Sequence, residues 1–247
     1  AVPVAGGDFV VTVESQTSSS AVVRIATRRS LLTPVAVAHQ DAGGPGGPLG
    51  PALGPETCGL SGGGCYQVFR SGSIYWSPAT GAHVVQGPVA GRWVQLGAEN
   101  GVLGYPVSST SCGLVSGGCA QAFQGGEVSW SAATGARLVG GGIAAKWRAY
   151  GGERGALGYP VVDRSCGLVG GGCYQVFQHG TVYDSPAAGT TVARGGIGHT
   201  WMSRGAENGP LGYPVGDEAC GLPDGGCAQA FERGRISWSS RTGARLV

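Results

Sequence analysis

Leu49, Leu103, Leu157 and Leu211 stand 54 residues apart, and each opens the same segment, Leu-Gly-Tyr-Pro in the last three copies and Leu-Gly-Pro-Ala in the first. Trp93, Trp147 and Trp201 keep that period. So do the cysteines, as one series (Cys58, Cys112, Cys166, Cys220) and a second (Cys65, Cys119, Cys173, Cys227). A period of this length held over four copies makes the chain an array, and arrays bind or space more often than they catalyse. Counted back from the last residue, the units are 32–85, 86–139, 140–193 and 194–247, with a preface at 1–31.

A unit this short buries little surface alone and must lean on neighbours or on covalent staples. The 50 glycines among 247 residues and the brief helical periodicities point to short strands joined by tight turns. The expected fold is mostly β with short helical turns, a tandem array of four small β units forming an elongated stalk. A closed propeller-like ring is the alternative, and it would need the preface to bridge the first and last units.

The staples are the cysteines. Six residues of the type Gly-Leu-x-x-Gly-Gly separate the two members of each pair, so the chain can reverse and bring their β-carbons together. Four-cysteine zinc sites need two close pairs, whereas these pairs recur only once per unit and no histidine is phased with them. The expectation is therefore four disulfides, Cys58–Cys65, Cys112–Cys119, Cys166–Cys173 and Cys220–Cys227, no metal and no cofactor. Each closes a small loop and contributes roughly 2–3 kcal/mol. Disulfides belong to oxidising compartments. No apolar run approaches the roughly 20 residues that cross a bilayer, and the chain starts at Ala1, so a processed chain, secreted or wall-associated and without membrane insertion, is expected. The net charge of +2 is spread thinly, with one lysine, Lys146, which disfavours nucleic acid.

In the preface, Asp8–Val13 and Ala21–Ile25 flank Thr17–Ser20 and read as a β-hairpin, a cap or a place for a protein partner. The first half of unit 1 carries His39 where later units carry tryptophan, in a run rich in Gly and Pro that reads as an extended linker or a degenerate terminal repeat. In a regular unit, residues 141–147 suit two helical turns with Ile143 and Trp147 on one side. Leu-Gly-Tyr-Pro reads as an extended turn. A hairpin such as 65–76 and a third strand at 81–85 complete the unit. One hairpin face (Cys65, Gln67, Phe69, Ile74, Trp76) recurs as a core face. The other alternates, bulky in units 1 and 3 (Tyr66, Val68, Tyr75; Tyr174, Val176, Tyr183) and small in units 2 and 4 (Ala120, Ala122, Ser129; Ala228, Ala230, Ser237). Read as packing, a bulky face fills a neighbour's small face, and successive units meet in alternating orientations. Read otherwise, the tyrosines form an exposed platform, or the pattern records a duplication.

No catalytic constellation emerges. The four histidines fall at unrelated phases, and one carboxylate per unit, Glu99, Glu153 or Glu207, lacks a phased partner for acid–base work. Binding is better supported. Trp93, Trp147, Trp201, Tyr105, Tyr159 and Tyr213 recur with that Glu and with Gln67, Gln121, Gln175 and Gln229. Rings that cover the C–H faces of a sugar, beside groups that bond its hydroxyls, suit carbohydrate. The same rings equally suit the core of so small a unit.

The phased residues, a Trp, then Gly-x-x-x-Gly-x-Leu-Gly-Tyr-Pro, then Gln-x-Phe-x-x-Gly-x-Ile-x-Trp and Gly-Ala-x-x-Val, resemble the LGFP repeat family of actinobacterial envelope proteins, well over 86–247 and partly over 32–85. Members carry such repeats as appendages to mycoloyltransferases and cell-wall hydrolases, as a stalk contacting the peptidoglycan–arabinogalactan wall. The resemblance implies a non-catalytic module that binds wall polysaccharide as anchor or spacer. The alternative is a structural or adaptor subunit of a secreted assembly, docked through residues 1–31. The paired cysteines are not part of the common family pattern, and residues 1–247 themselves hold no segment that reads as an enzyme domain.

Overall fold

The computed structural model describes residues 2–3, 9–27, 32–222 and 225–247. It divides into two compact units, Ala1–Gly87 and Pro88–Val247.

The first unit begins with a three-stranded antiparallel sheet, β1 (Val2–Pro3), β2 (Phe9–Gln16) and β3 (Ala21–Thr27). β2 and β3 form the expected hairpin, with Val11 opposite Ile25 and Val13 opposite Val23. Its turn is closed by the Thr17 N–H donating to the Ser20 carbonyl at 2.7 Å. Of the hairpin expectation, Asp8 lies outside the described residues, as do residues 28–31 of the preface. Helix α1 (Pro34–Asp41) follows, started by proline in its first turn and by the Thr33 hydroxyl, which accepts from the Ala36 N–H at 3.2 Å. A four-stranded antiparallel sheet then runs in chain order: β4 (Thr57–Leu60), β5 (Gly64–Phe69), β6 (Gly72–Ser77) and β7 (Gly81–Val85).

The Gly- and Pro-rich stretch of this unit is thus no extended linker. His39 stands in the place of tryptophan, its ring 4.2 Å from Phe69 and its Nε2 2.9 Å from the Gly50 carbonyl oxygen. Val35, Leu49, Phe69 and Ile74 close a small core around it.

The second unit repeats one plan three times. Helix α2 (Gly87–Gln95) precedes β8 (Ser111–Cys112), β9 (Cys119–Phe123), β10 (Gly126–Ser131) and β11 (Gly135–Val139). Helix α3 (Gly141–Ala149) precedes β12 (Ser165–Cys166), β13 (Cys173–Phe177), β14 (Gly180–Ser185) and β15 (Gly189–Ala193). Helix α4 (Gly195–Met202) precedes β16 (Ala219–Leu222), β17 (Gly226–Phe231), β18 (Gly234–Ser239) and β19 (Gly243–Leu246). Each sheet is four-stranded, antiparallel and separate, and none closes into a barrel.

Each helix serves the sheet that follows it. Ile143, Ala144 and Trp147 of α3 share a buried cluster with Leu157, Cys173, Phe177, Val182 and Val192. Trp147 lies over Phe177 at 5.8 Å, Trp93 over Phe123 at 5.6 Å and Trp201 over Phe231 at 5.7 Å. The helices are brief because the chain must turn back at once. A left-handed glycine, Gly151 in the α3 copy, leads into a single 3-10 turn. The glycine that ends that turn is pressed on the helix end: a β-carbon at Gly155 would sit 1.6 Å from the Tyr150 carbonyl oxygen, and Gly101 and Gly209 are similarly confined. Leu-Gly-Tyr-Pro then runs beside the hairpin turn. The Gln124 and Gly125 N–H groups donate to the Tyr105 and Leu103 carbonyls, and Pro106, which has no N–H, sits opposite Phe123.

Both faces of an inner sheet are used. α3 packs against β10 of the preceding repeat as well as against β14 and β15, and α4 packs against β15 as well as against β18 and β19. Tyr183, on the bulky face of β14, meets Trp201 edge-on at 4.8 Å inside the next repeat's cluster. At the preceding junction the same phase holds Ser129, which is fully buried. α4 carries Gly198 where α3 has Ala144, and a β-carbon at Gly198 would sit 2.9 Å from the Ala193 carbonyl carbon. At these two junctions Ser129 and Tyr183 of the alternating face are therefore packed, and the bulky residue fills against a helix rather than a small-faced sheet. Both junctions also use the same bonds, so the orientation does not alternate.

Replacing Trp147 by Ala should cost about 3–5 kcal/mol. It should lower the guanidinium midpoint of the cooperative loss of near-UV circular dichroism. An unchanged midpoint would contradict the packing of α3.

Candidate functional site

The residues that the sequence marks for ligand contact are mostly spent on the core of their own repeat, and two of the tyrosines also join it to the repeat before. Trp93, Trp147 and Trp201 are at most 1 % exposed. Each indole Nε1–H donates to the glycine carbonyl of the next Leu-Gly-Tyr-Pro, Gly104, Gly158 or Gly212, at 2.8–2.9 Å. No ring face is left for a sugar, and the core role decides their place. Tyr105, Tyr159 and Tyr213 are also buried. The hydroxyls of Tyr159 and Tyr213 reach back to the preceding disulfide loop and donate to the Val115 and Val169 carbonyls, each at 2.8 Å. This contact needs glycine opposite: a β-carbon at Gly118 or Gly172 would lie 2.0 or 2.3 Å from the phenolic oxygen.

The four disulfides form as the spacing predicts, Cys58–Cys65, Cys112–Cys119, Cys166–Cys173 and Cys220–Cys227. Two glutamates lie against them. Glu56 with Cys58 and Cys65, and Glu218 with Cys220 and Cys227, place their ligand atoms within 4.8 Å of one another. With the sulfurs joined to each other these groups offer no thiolate to a metal.

The sequence reading missed the aspartates. Asp163 accepts from the N–H of Leu138 on the edge strand β11 at 2.9 Å and pairs with Arg92 of α2. Asp217 repeats this one unit on, accepting from the Val192 N–H at 2.9 Å and from Lys146 Nζ at 2.7 Å. The Gln175 and Gln229 amides complete the edge. Gln175 Nε2 donates to the Leu138 carbonyl and Gln229 Nε2 to the Val192 carbonyl, both at 2.8 Å. Side chains of one repeat thereby replace the missing neighbour strand of the repeat before it. The signal was present, as acid at 163 and 217 in phase with base at 92 and 146, but it is weak because the first unit has Pro55 at that phase.

Glu99, Glu153 and Glu207 occupy the 3-10 turns after the helices. Asn100 and Asn208 donate to Glu99 and Glu207 at 2.8 Å, and Arg154 stands 3.5 Å from Glu153. The turn at Glu207 opens into a cleft with another sequence-marked group, Tyr213. That cleft, of about 130 Å³, lies between repeats and is lined by Val169, Ser185, Ala187, Glu207, Tyr213, Glu232 and Arg233. A cleft of about 170 Å³ recurs one repeat earlier, with Val115, Ser131, Ala133, Tyr159 and Gln178 at the same phases. Glu232 keeps the structural task of Gln178, since each accepts from the N–H of the Leu-Gly-Tyr-Pro tyrosine of its own repeat, Tyr213 at 3.3 Å and Tyr159 at 2.8 Å. It adds a negative charge that Gln178 lacks.

The family model for the LGFP repeat matches residues 49–101, 103–155, 157–209 and 211–247. The chain belongs to the LGFP repeat family. Among curated proteins none matches it. The LGFP frame opens at the leucine of Leu-Gly-Tyr-Pro, so it divides each helix from the sheet on which that helix packs.

Burial raises several tyrosine pKa values in these LGFP junctions. Desolvation, reinforced by the Glu207 carboxylate, pushes Tyr183 up to about 12. Desolvation, with the charge of Asp217 and a hydrogen bond to it, pushes Tyr150 up to about 12. Tyr159 and Tyr213 are raised by burial and then by Glu153 and Glu207 respectively. A folded pKa above the unfolded value means that the folded state holds its proton longer, so this stability is complete below pH about 10 and is lost as pH rises toward 12. Thermal melts should fall across that window, and Tyr183→Phe should flatten the fall. Parallel slopes for the variant and the wild type would exclude Tyr183 as a source. Asp217→Ala, which strands Lys146 and the Val192 N–H, should cost about 1–3 kcal/mol in urea unfolding. No loss would show that the junction does not depend on it.

Proposed function

We propose that the chain is a non-catalytic LGFP module that holds bacterial cell-wall glycan of the peptidoglycan–arabinogalactan type and serves as anchor or spacer outside the cell. The observation that carries the reading is the pair of clefts at the Tyr159 and Tyr213 junctions, which recur at one phase of the repeat and offer hydroxyl, amide, carboxylate and guanidinium groups. Each is shallow and individually weak. Weak sites at a fixed spacing gain effective concentration on a polymeric ligand. The four disulfides fit an extracellular chain, and no helix among the described residues is long and apolar enough to cross a membrane.

Ala133 and Ala187 are exposed at the two cleft rims, so tryptophan at these positions blocks the clefts without entering the core. On purified cell walls, A133W/A187W should lose most of the retention that the parent shows, and removal of arabinogalactan should lower retention of the parent alone. Equal retention of parent and double variant would defeat the assignment of the clefts. A second reading has its own support: Val13, Val22, Val23 and Ile25 of the β2–β3 hairpin are 46–64 % exposed, a surface suited to a protein partner in a secreted assembly. It takes over if the parent protein ignores every wall preparation.

A further inference from the structure

We propose that Cys166 is a modification site for small thiols, and that Arg164 makes Cys166–Cys173 the disulfide of this chain that opens first. The residue two places before the first cysteine of each pair is Glu56, Thr110, Arg164 or Glu218. A second position also differs: Asp184 stands opposite Cys173 where the other pairs face Trp76, Trp130 and Trp238, but its carboxylate accepts from the Thr190 hydroxyl at 2.7 Å, whereas Arg164 is in contact with the sulfur itself. Arg164 Nη2 lies 3.1 Å from Cys173 Sγ. The first and fourth pairs have a carboxylate in that neighbourhood instead, with all ligand atoms within 4.8 Å. Glu218 is itself paired with Arg194 at 3.3 Å. Arg164 has no carboxylate partner among the described residues, because Gly140 stands at the phase of Arg194.

Burial decides which sulfur is attacked. Cys166 is exposed and Cys173 is only 5 % exposed, and every pair shows the same division. An incoming thiolate therefore attacks Cys166 Sγ. The new bond is a mixed disulfide between the small thiol and Cys166, and the electron pair of the broken S–S bond leaves on Cys173 as a thiolate. A second equivalent of the same thiol attacks the small-molecule sulfur of that mixed disulfide, releasing its oxidised dimer and a Cys166 thiolate. The small thiol is the reductant, and the protein disulfide is reduced by two electrons. Exchange is faster when the leaving thiol has a lower pKa, and an adjacent guanidinium lowers it where a carboxylate raises it. Arg164 thus acts on the leaving group. The approach is open, since a cavity of about 430 Å³ lined by Val102, Gly125, Leu138, Gly140, Gly141 and Arg164 reaches Cys166.

Opening this staple has a structural consequence. The loop it closes presents the Val169 carbonyl to the Tyr213 hydroxyl, so reduction frees one of the bonds that join the third and fourth repeats.

The oxidised full chain would be exposed to glutathione and, separately, to uncharged 2-mercaptoethanol, quenched by alkylation at timed intervals, and each pair followed by peptide mass spectrometry. Cys166–Cys173 should open about threefold faster than Cys112–Cys119, and on the order of tenfold faster than the pairs beside Glu56 and Glu218. R164E should bring it down to their rate, and E56R should accelerate Cys58–Cys65. Circular dichroism identifies a variant that has failed to fold, in which case the other variant carries the comparison. Equal rates for all four pairs, or an R164E protein that folds and opens as fast as the parent, would overturn the proposal. An advantage that appears with glutathione but not with 2-mercaptoethanol would overturn the leaving-group role as well, leaving only attraction of an anionic thiol.

Discussion

The second unit depends on a problem of small sheets: a four-stranded sheet in a repeat of this size leaves an edge strand with unpaired N–H and C=O groups and one face without cover. Asp163 and Asp217 answer the first half, each accepting from the edge N–H and binding a cation on the helix of the preceding repeat. Gln175 and Gln229 take the edge carbonyl. The next helix covers the face. Since the groups that satisfy one repeat are carried by another, the stability of each is borrowed, which is the physical meaning of an array.

That arrangement governs what remains for a ligand. Tryptophans, tyrosines and glutamines that look like a binding surface in the sequence are drawn into cores and clasps, because in so thin a unit each large side chain is needed to exclude water. Availability passes to the lines where two repeats meet and the fit is imperfect. There the disulfide loop, the turn after the hairpin and the Leu-Gly-Tyr-Pro segment leave clefts whose polar rim varies between junctions, amide at Gln178 and charged at Glu232 and Arg233. A framework that stays constant and a rim that changes is how a repeat can keep one fold while altering what it touches.

The disulfides join these two themes. Each closes a loop whose carbonyl is the acceptor for a tyrosine of the following repeat, at least at Val115 and Val169. A staple within one unit therefore positions a bond between units. Charge next to the sulfurs differs from repeat to repeat while the packing does not, so reactivity can vary along the array with little change in its architecture.

Sequence by itself determined the period, the disulfide pairing, the hairpins and the helix before each Leu-Gly-Tyr-Pro, because these rest on local chemistry: cysteine spacing, glycine at turns, and Ile143 and Trp147 four residues apart. It also left open two roles for the aromatic residues, sugar platform or core. Only the tertiary structure decided between them, because burial of Trp147 depends on Phe177 and Val182, which approach it only when the sheet folds under the helix. The same holds for His39, whose place over Phe69 shows that the Gly- and Pro-rich stretch folds as a helix and turn. Asp163 and Asp217 were invisible as junction residues for a related reason. Their partners lie 25 and 71 positions away, at distances along the chain where periodicity still marks residues as equivalent but says nothing of which ones touch.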